Sequence, residues 1–280
     1  MTCRPKVLTT SASDRLPSPP ARPVDRRAAD GNLAEAVARD ELRLLYQPIL
    51  RIPDRAVVAV EALVRWEHPT LGLLTPDRFF AAGHLGGHMP LLDRWVLRRA
   101  CTDMLELRGA LGCAAPAHVN VNLSAPTLAT DFTEPVLAAL DRTGLPARRL
   151  RLELCEGADL ETLTRAAPRL EILTRRGVAV ALDDMGAGST DLRYLSRLAL
   201  HGIKIDRQFV ARMLESPRDD AIVTLLTDLA RRLRLRVTAE GVETADQLAA
   251  LARLGVPFVQ GYHLAPPLTL TDLTDILLAA

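Results

Sequence analysis

The chain has 280 residues, 48% of them hydrophobic and 25% charged, and these ordinary globular proportions exclude a protein that is disordered or fibrous throughout. Its 35 basic and 34 acidic residues leave a net charge of +1, so no overall field draws the chain to nucleic acid or to an anionic membrane. Every apolar run is far shorter than the roughly 20 residues that a membrane-spanning helix needs, so we expect neither a nucleic-acid partner nor a membrane partner.

The first 30 residues differ in composition from the rest of the chain. Residues 1–30 contain five prolines among serine, alanine and arginine, without apolar periodicity, which predicts a disordered leader. The leader lacks the apolar core of a secretory signal, so we expect a cytoplasmic protein. The remaining residues, 31–280, have the length of one (β/α)₈ barrel and are expected to form one domain.

The folded part opens with a helix and two strands. Residues 33–44 have helical spacing and predict the helix. Residues 45–50 and 56–63 are β-rich runs that are separated by only five residues. A parallel crossover needs a dozen or more residues, so these two strands must form an antiparallel hairpin.

Helices and short apolar strands then alternate to the C-terminus. The predicted helices include residues 77–84, 91–107, 161–176, 219–233 and 244–254. The predicted strands are residues 117–123, 150–154, 178–182, 202–205, 236–239 and 258–259. This alternation is typical of a parallel sheet covered by helices. Eight strands predict a closed (β/α)₈ barrel with one strand reversed, and an open doubly wound sheet is the alternative.

Seven successive strands each deliver a polar side chain at or near the C-terminal end. These side chains belong to Glu61, Asn122, Glu153, Asp183 with Asp184, Lys204, Glu240 and Gln260. In a parallel barrel these ends open on one face, so the side chains should converge on one pocket. Converging carboxylates repel one another, and one lysine cannot neutralise them, so we expect one or two divalent cations.

The ligand types indicate which metal the pocket would take. Carboxylate and amide oxygens are hard donors, which suit Mg²⁺ or Mn²⁺ better than zinc. The adjacent pair Asp183 and Asp184 is a natural bridge, because neighbouring side chains can address two ions about 3.5–4 Å apart. We expect inhibition by Ca²⁺, which is larger and tolerates looser coordination.

The residues around these strand ends form an ordered series of motifs. Residues 61–66 read EALVRW, and residues 46–49 read YQPI. The later motifs are VNLS at 121–124, ELCE at 153–156, DDMG at 183–186, IKID at 203–206, AEGVE at 239–243 and QGY at 260–262. The set covers nearly everything from residue 32 onward and resembles the EAL-domain family of bacterial cyclic di-GMP phosphodiesterases. The resemblance implies a (β/α)₈ TIM-type barrel with an antiparallel first strand, in agreement with the hairpin above.

The resemblance also implies a role for each polar position. The ligands of the first Mg²⁺ or Mn²⁺ ion would be Glu61, Asn122, Glu153 and Asp183, and those of the second Asp183, Asp184 and Glu240. Catalysis would depend on Glu61, Glu240 and Lys204. Of these, Lys204 would orient the attacking water or help to deprotonate it. Arg65 would contact a substrate phosphate, and Gln47, Asp206 and Gln260 would complete the substrate-binding set. Glu156 and Glu243 would anchor loops, and Glu156 would couple metal binding to formation of a homodimer.

The implied function is hydrolysis of cyclic di-GMP to linear pGpG, with a regulatory protein partner as a further expectation. One alternative is a receptor of the same family that binds cyclic di-GMP and signals to a partner without cleaving it. Another is a barrel lyase of the enolase type, which also combines Mg²⁺ carboxylates with a lysine on a strand. That lyase would need a capping domain, and residues 1–30 are too short and too polar to form one.

Overall fold

The computed structural model describes residue 6 and residues 33–81, 87–155, 158–186 and 193–279. Nearly all of the predicted leader therefore lies outside the described residues, and so does Glu156. In the described part, none of the helices is both long and apolar enough to cross a membrane.

One sheet forms the centre of the molecule. Its strands are β1 (Leu42–Arg51), β2 (Val57–His68), β3 (Gly72–Leu74), β4 (His118–Leu123), β5 (Leu150–Leu154), β6 (Ala179–Met185), β7 (Gly202–Ile205), β8 (Arg236–Ala239) and β9 (Phe258–Val259). The neighbours run β1-β9-β8-β7-β6-β5-β4-β2, and β1 also pairs with β2, which closes the ring. The third strand, β3, extends β2 outside the ring. The chain therefore forms a closed barrel, and the open sheet is excluded.

The first barrel strand runs against both of its neighbours. β1 is antiparallel to β2 and to β9, whereas the other barrel pairs are parallel. The register places Gln47 opposite Glu61. The predicted antiparallel hairpin and the predicted (β/α)₈ barrel are both confirmed.

Helices cover the outside of the ring. They are α1 (Leu33–Ala38), α2 (Pro76–Ala81), α3 (Met89–Leu111), α4 (Ala125–Leu128), α5 (Thr133–Thr143), α6 (Leu160–Arg175), α7 (Arg193–Arg197), α8 (Arg207–Arg212), α9 (Pro217–Leu233), α10 (Ala245–Leu254) and α11 (Leu270–Ala279). Their starts are set by local chemistry: the Asp159 side chain accepts a hydrogen bond from Thr162 N at 2.7 Å, and Thr244 with Gln247 forms a capping box. The helix α10 ends at Gly255, which adopts the left-handed conformation.

The predicted helix over residues 33–44 is wrong after Ala38. Asp40 has a positive φ of 54°, and β1 begins at Leu42. Leu42 and Leu44 are buried, whereas Arg43 between them is exposed. This alternation suits a strand beside β2, and pairing with β2 prevails over the helical spacing.

The two faces of the strands differ in chemistry. On β4 and β5, Val119, Val121 and Leu152 belong to the continuous apolar core. The intervening residues, including Asn122 and Glu153, are polar and face the barrel interior, as their contacts with side chains from other strands show. Because side chains alternate between faces along a strand, the helices cover an apolar surface while the interior holds polar groups.

Candidate metal centre

Lys204 lies at the centre of a group of carboxylates in the barrel. Its Nζ is 3.0 Å from Glu61 Oε2, 3.1 Å from Glu153 Oε2 and 3.1 Å from Asp183 Oδ1. A fourth carboxylate, that of Glu240, lies 2.5 Å away. The lysine is only 2% exposed, and Glu153 is fully buried. Side chains from five separate positions around the ring therefore meet at one point.

The carboxylates form two overlapping groups. Glu61, Glu153 and Asp183 make one group, and Asp183, Asp184 and Glu240 make the other. Within each group, one oxygen from every residue lies within 4.8 Å of the others. These are the predicted carboxylate sets, with Asp183 common to both.

Asn122 approaches the first group through its amide. Asn122 Nδ2 donates a hydrogen bond to Glu61 Oε1 at 2.8 Å. The amide nitrogen is thereby engaged, and the carbonyl oxygen remains as the donor atom that a hard cation prefers. This orientation fits the ligand role predicted for Asn122.

The site has an excess of negative charge. Among the described residues, five carboxylates surround the single lysine of the site. Burial, together with the charges of Glu61 and Asp183, raises the pKa of Glu153 to about 8. Burial and the charge of Asp183 raise the pKa of Asp184 to about 7. Protons compensate part of the charge in this state, and a divalent cation could replace them.

Two members of the cluster are held in their charged forms. Burial alone would lower the pKa of Lys204, but the surrounding carboxylates, Asp183 foremost, raise it well above its ordinary value. Burial likewise opposes the charge of Glu61, yet Lys204 and a hydrogen bond from Gln260 bring the pKa of Glu61 below its usual range. Glu61 and Lys204 thus form a buried ion pair within the group.

A line of amides joins the carboxylates to the first strand. Gln260 Nε2 donates to Glu61 Oε2 at 2.7 Å and to Gln47 Oε1 at 2.9 Å. Gln47 Nε2 in turn donates to the carbonyl of Ala265 at 3.1 Å. Both predicted glutamines therefore lie at the site, where they fix the position of Glu61.

The next residue, Gly261, leaves no room for a side chain. A Cβ atom at this position would collide with the backbone N and O of Val242. The peptide that follows Gln260 therefore packs directly against the segment after Glu240, whose N–H bonds to Ile205 O at 3.1 Å. This close approach brings the ends of β8 and β9 together at the site.

Arg65 and Asp206 lie at the edge of the carboxylate group. Arg65 is half-buried on β2, and burial lowers its pKa, while Tyr262 and Glu61 act in the opposite direction. Asp206 is the N-cap of α8, and its side chain accepts a hydrogen bond from Gln208 N at 2.7 Å. Its carboxyl also contacts Asp184, which raises the pKa of Asp184 further. Asp206 thus adjoins the second carboxylate group.

Of the two predicted loop anchors, Glu243 lies among the described residues, and its described contacts do not join this cluster. Glu243 is exposed, and its backbone N–H donates to Gln247 Oε1 at 2.8 Å. Glu156 and residues 187–192 lie outside the described residues.

One functional neighbour was missed by the sequence reasoning. Asn120 is 1% exposed, and its Nδ2 donates to Glu153 Oε1 at 2.6 Å. Asn120 precedes Asn122 by two residues on β4, so both face the interior. The alternation of polar and apolar residues over 118–122 was the signal that could have identified it.

Comparisons with known proteins agree with this geometry. The family described as EAL domain matches residues 30–267. The chain is 42% identical over 248 residues to the cyclic di-GMP phosphodiesterase NbdA of Pseudomonas aeruginosa, with coverage of 88% of this chain and 31% of that protein. It is 39% identical over 242 residues to an uncharacterised protein of Mycobacterium tuberculosis, with coverage of 83% and 77%. The chain thus spans about a third of the length of NbdA.

Two solved structures have the same fold. The PaMucR phosphodiesterase in complex with c-di-GMP superposes with a TM-score of 0.80 at 38% identity, over 86% of this chain and 98% of that one. The EAL enzyme Bd1971, bound to cAMP and cyclic-di-GMP, superposes with a TM-score of 0.84 at 26% identity, over 90% and 69%.

Proposed function

The chain belongs to the EAL domain family, and from this premise we propose that it is a metal-dependent phosphodiesterase that hydrolyses cyclic di-GMP to linear pGpG. The observation that carries the proposal is the pair of carboxylate groups that share Asp183. Two ions bridged by one carboxylate are a recurrent arrangement for in-line displacement at phosphorus. The similarity to NbdA and PaMucR supports cyclic di-GMP as the substrate.

The residues present fit two Mg²⁺ or Mn²⁺ ions. The donors are carboxylate oxygens and the Asn122 carbonyl, all hard ligands, and the negative charge exceeds what Lys204 can neutralise. When bound, such ions supply Lewis-acid polarisation of the phosphate and lower the pKa of a water molecule. We infer inhibition by Ca²⁺ because this larger ion tolerates looser coordination than the near-octahedral geometry that Mg²⁺ demands.

Lys204 positions the reacting groups in this proposal. Its Nζ donates to carboxylates of both groups and holds them at fixed separations. A protonated ammonium is a hydrogen-bond donor only, so an orienting role toward the attacking water agrees better with its raised pKa than proton abstraction does. The buried environment strengthens each of these interactions.

The substrate would lie over the C-terminal mouth of the barrel. Arg65 offers a guanidinium to one phosphate, where it offsets charge that develops in the transition state. Gln260 and Gln47 keep Glu61 in place, and Asp206 supports Asp184. One of the two phosphodiester bonds opens at its 3′ oxygen, which leaves linear pGpG.

The wider organisation is also part of the proposal. Residues 31–280 form the phosphodiesterase domain, residues 1–30 are a leader, and the domain acts in the cytoplasm as a homodimer under control of a protein partner. Glu156 and Glu243 anchor the loops that border the site, and Glu156 couples metal binding to the dimer. Support for the leader and for the cytoplasmic location comes from the composition of residues 1–30, and support for the homodimer and the loop anchors comes from the family resemblance.

The proposal is tested by incubation of the purified protein with cyclic di-GMP and Mn²⁺, followed by chromatography for pGpG. Conversion should be lost in EDTA and in Glu153→Gln, whose side chain keeps its size but loses its charge. The matched control is Glu134→Gln on the exposed face of α5, which should retain wild-type conversion. Binding of cyclic di-GMP without any pGpG would favour the receptor function instead.

A further inference from the structure

The opposite mouth of the barrel holds a second group of charged side chains. Parallel strands begin there, so the first residues of β4, β5 and β8 lie near one another. Arg151 on β5 is the register partner of Asn120 on β4, and Arg236 opens β8. We call Arg151, Arg236, His118 and His201 the basal cluster.

Arg151 is a buried cation at this mouth. The residue is 7% exposed, and its Nε makes no hydrogen bond. Among the described residues, no carboxylate forms an ion pair with its guanidinium. Burial lowers the pKa of Arg151, and the negative charge of Glu153 acts in the opposite direction. Glu153 is already engaged by hydrogen bonds from Asn120 and Lys204. An arginine in this environment is costly unless an anion neutralises it.

The other members of the cluster are one arginine, which adds positive charge, and two histidines. Arg236 is exposed, and its guanidinium lies 5.9 Å from the centre of the Phe258 ring. Burial and the charges of Arg151 and Arg236 lower the pKa of His118 to about 4, and they also lower the pKa of His201. The lowered pKa values of both histidines therefore indicate a positive electrostatic potential at this mouth.

The histidines are oriented by the backbone. His118 Nδ1 lies 3.0 Å from the carbonyl of Arg148 and must donate to it. His201 Nδ1 accepts from Val180 N at 3.2 Å, so its hydrogen is on Nε2, which has no partner among the contacts that the structure describes. The exposed His201 and Arg236 leave the mouth open to solvent.

We propose that the basal cluster binds a phosphate-sized oxyanion, which neutralises Arg151 and enters through the mouth opposite the metal centre. Asn120, the register partner of Arg151 on the neighbouring strand, adds a specific requirement, because its buried Oδ1 accepts no hydrogen bond. Monohydrogen phosphate offers oxygens to the guanidinium and a P–OH to this carbonyl. Sulfate has no such hydrogen at neutral pH, so the site should prefer phosphate.

Thermal unfolding tests the proposal. The full chain is heated in EDTA at pH 7 in potassium phosphate or in potassium chloride of equal ionic strength. Phosphate at tenfold its dissociation constant should raise Tm by about 3 °C. Arg151→Gln should abolish this rise, whereas Arg218→Gln, at the exposed start of α9, should retain it. In chloride Arg151→Gln should melt no lower than wild type, because it removes an unpaired buried charge.

Further solutes separate a site from a general salt effect. Phosphate and sulfate both stabilise proteins by exclusion from their surface, and exclusion would raise Tm equally in the wild type and both variants. That equality, or a rise with sulfate as large as with phosphate, would overturn the proposal. GMP in place of inorganic phosphate distinguishes a phosphomonoester ligand from the free ion: a larger rise with GMP identifies the ester, and a larger rise with inorganic phosphate identifies the ion. An arsenate soak, which keeps an acidic hydroxyl at neutral pH as phosphate does, should give an anomalous peak beside Arg151, and its absence would contradict binding.

Discussion

Replacing Lys204 by methionine removes the positive charge that holds four carboxylates together, each within about 3 Å of the ammonium. Removal of one partner from a buried ion pair costs about 3–5 kcal/mol. For a domain of this size each kcal/mol corresponds to about 2–4 °C, so the metal-free variant should melt about 10 °C lower at pH 8.5.

The loss of melting temperature in Lys204→Met should be larger at high pH than at low pH. Glu153 and Asp184 have pKa values raised to about 8 and about 7, so their protonated forms stabilise the fold at low pH, and this stabilisation is lost as pH rises through those values. At pH 5.5 protons on Glu153 and Asp184 compensate for the missing lysine charge. The loss of melting temperature should then be less than half of its value at pH 8.5. Calorimetry in EDTA at both pH values measures it, with Lys6→Met, the other lysine of the chain, as the control. An equal deficit at both pH values, or none, would refute the role of Lys204 as the counter-charge.

Other expected outcomes follow from the same contacts. Mg²⁺ affinity should rise between pH 6 and 8.5, because the metal displaces protons from Glu153 and Asp184; calorimetric titration measures it, and a pH-independent affinity would contradict the shared site. Glu61→Gln should lower turnover at least about 100-fold through loss of a charged ligand, and near-normal turnover in a product assay would exclude that role. Gly261→Ala should lower Tm by several degrees and impair metal binding, since its Cβ would meet backbone; Gly109→Ala, with open space around its Cβ, should stay within about 1 kcal/mol of wild type.

The barrel and the convergence of its polar residues could be predicted because both depend on local patterns. Alternation of strands and helices fixes a parallel sheet, and five intervening residues permit only a hairpin between the first two strands. Once the strands are parallel, the polar residues at their ends must share one mouth. The approach of Glu61, Asp183 and Lys204 follows from those rules alone.

The remaining features depend on contacts between distant segments. Leu42 and Leu44 fit helical spacing, and only the partner strand β2 makes them part of a strand. The predicted strand containing Glu61 ended at residue 63, whereas β2 continues to His68 because β1 and β3 pair with its second half. The contact of Asn120 with Glu153 requires the register of β4 on β5, which no single segment encodes.

The central claim is that the two carboxylate groups support hydrolysis of one phosphodiester bond of cyclic di-GMP. Its most direct test is a reaction with Mn²⁺ in water enriched in oxygen-18, with mass spectrometry of the product. The account predicts pGpG that carries one oxygen-18 atom in its terminal 5′-phosphate, and no labelled product in EDTA. Cyclic di-GMP that is bound but recovered intact and unlabelled would contradict it.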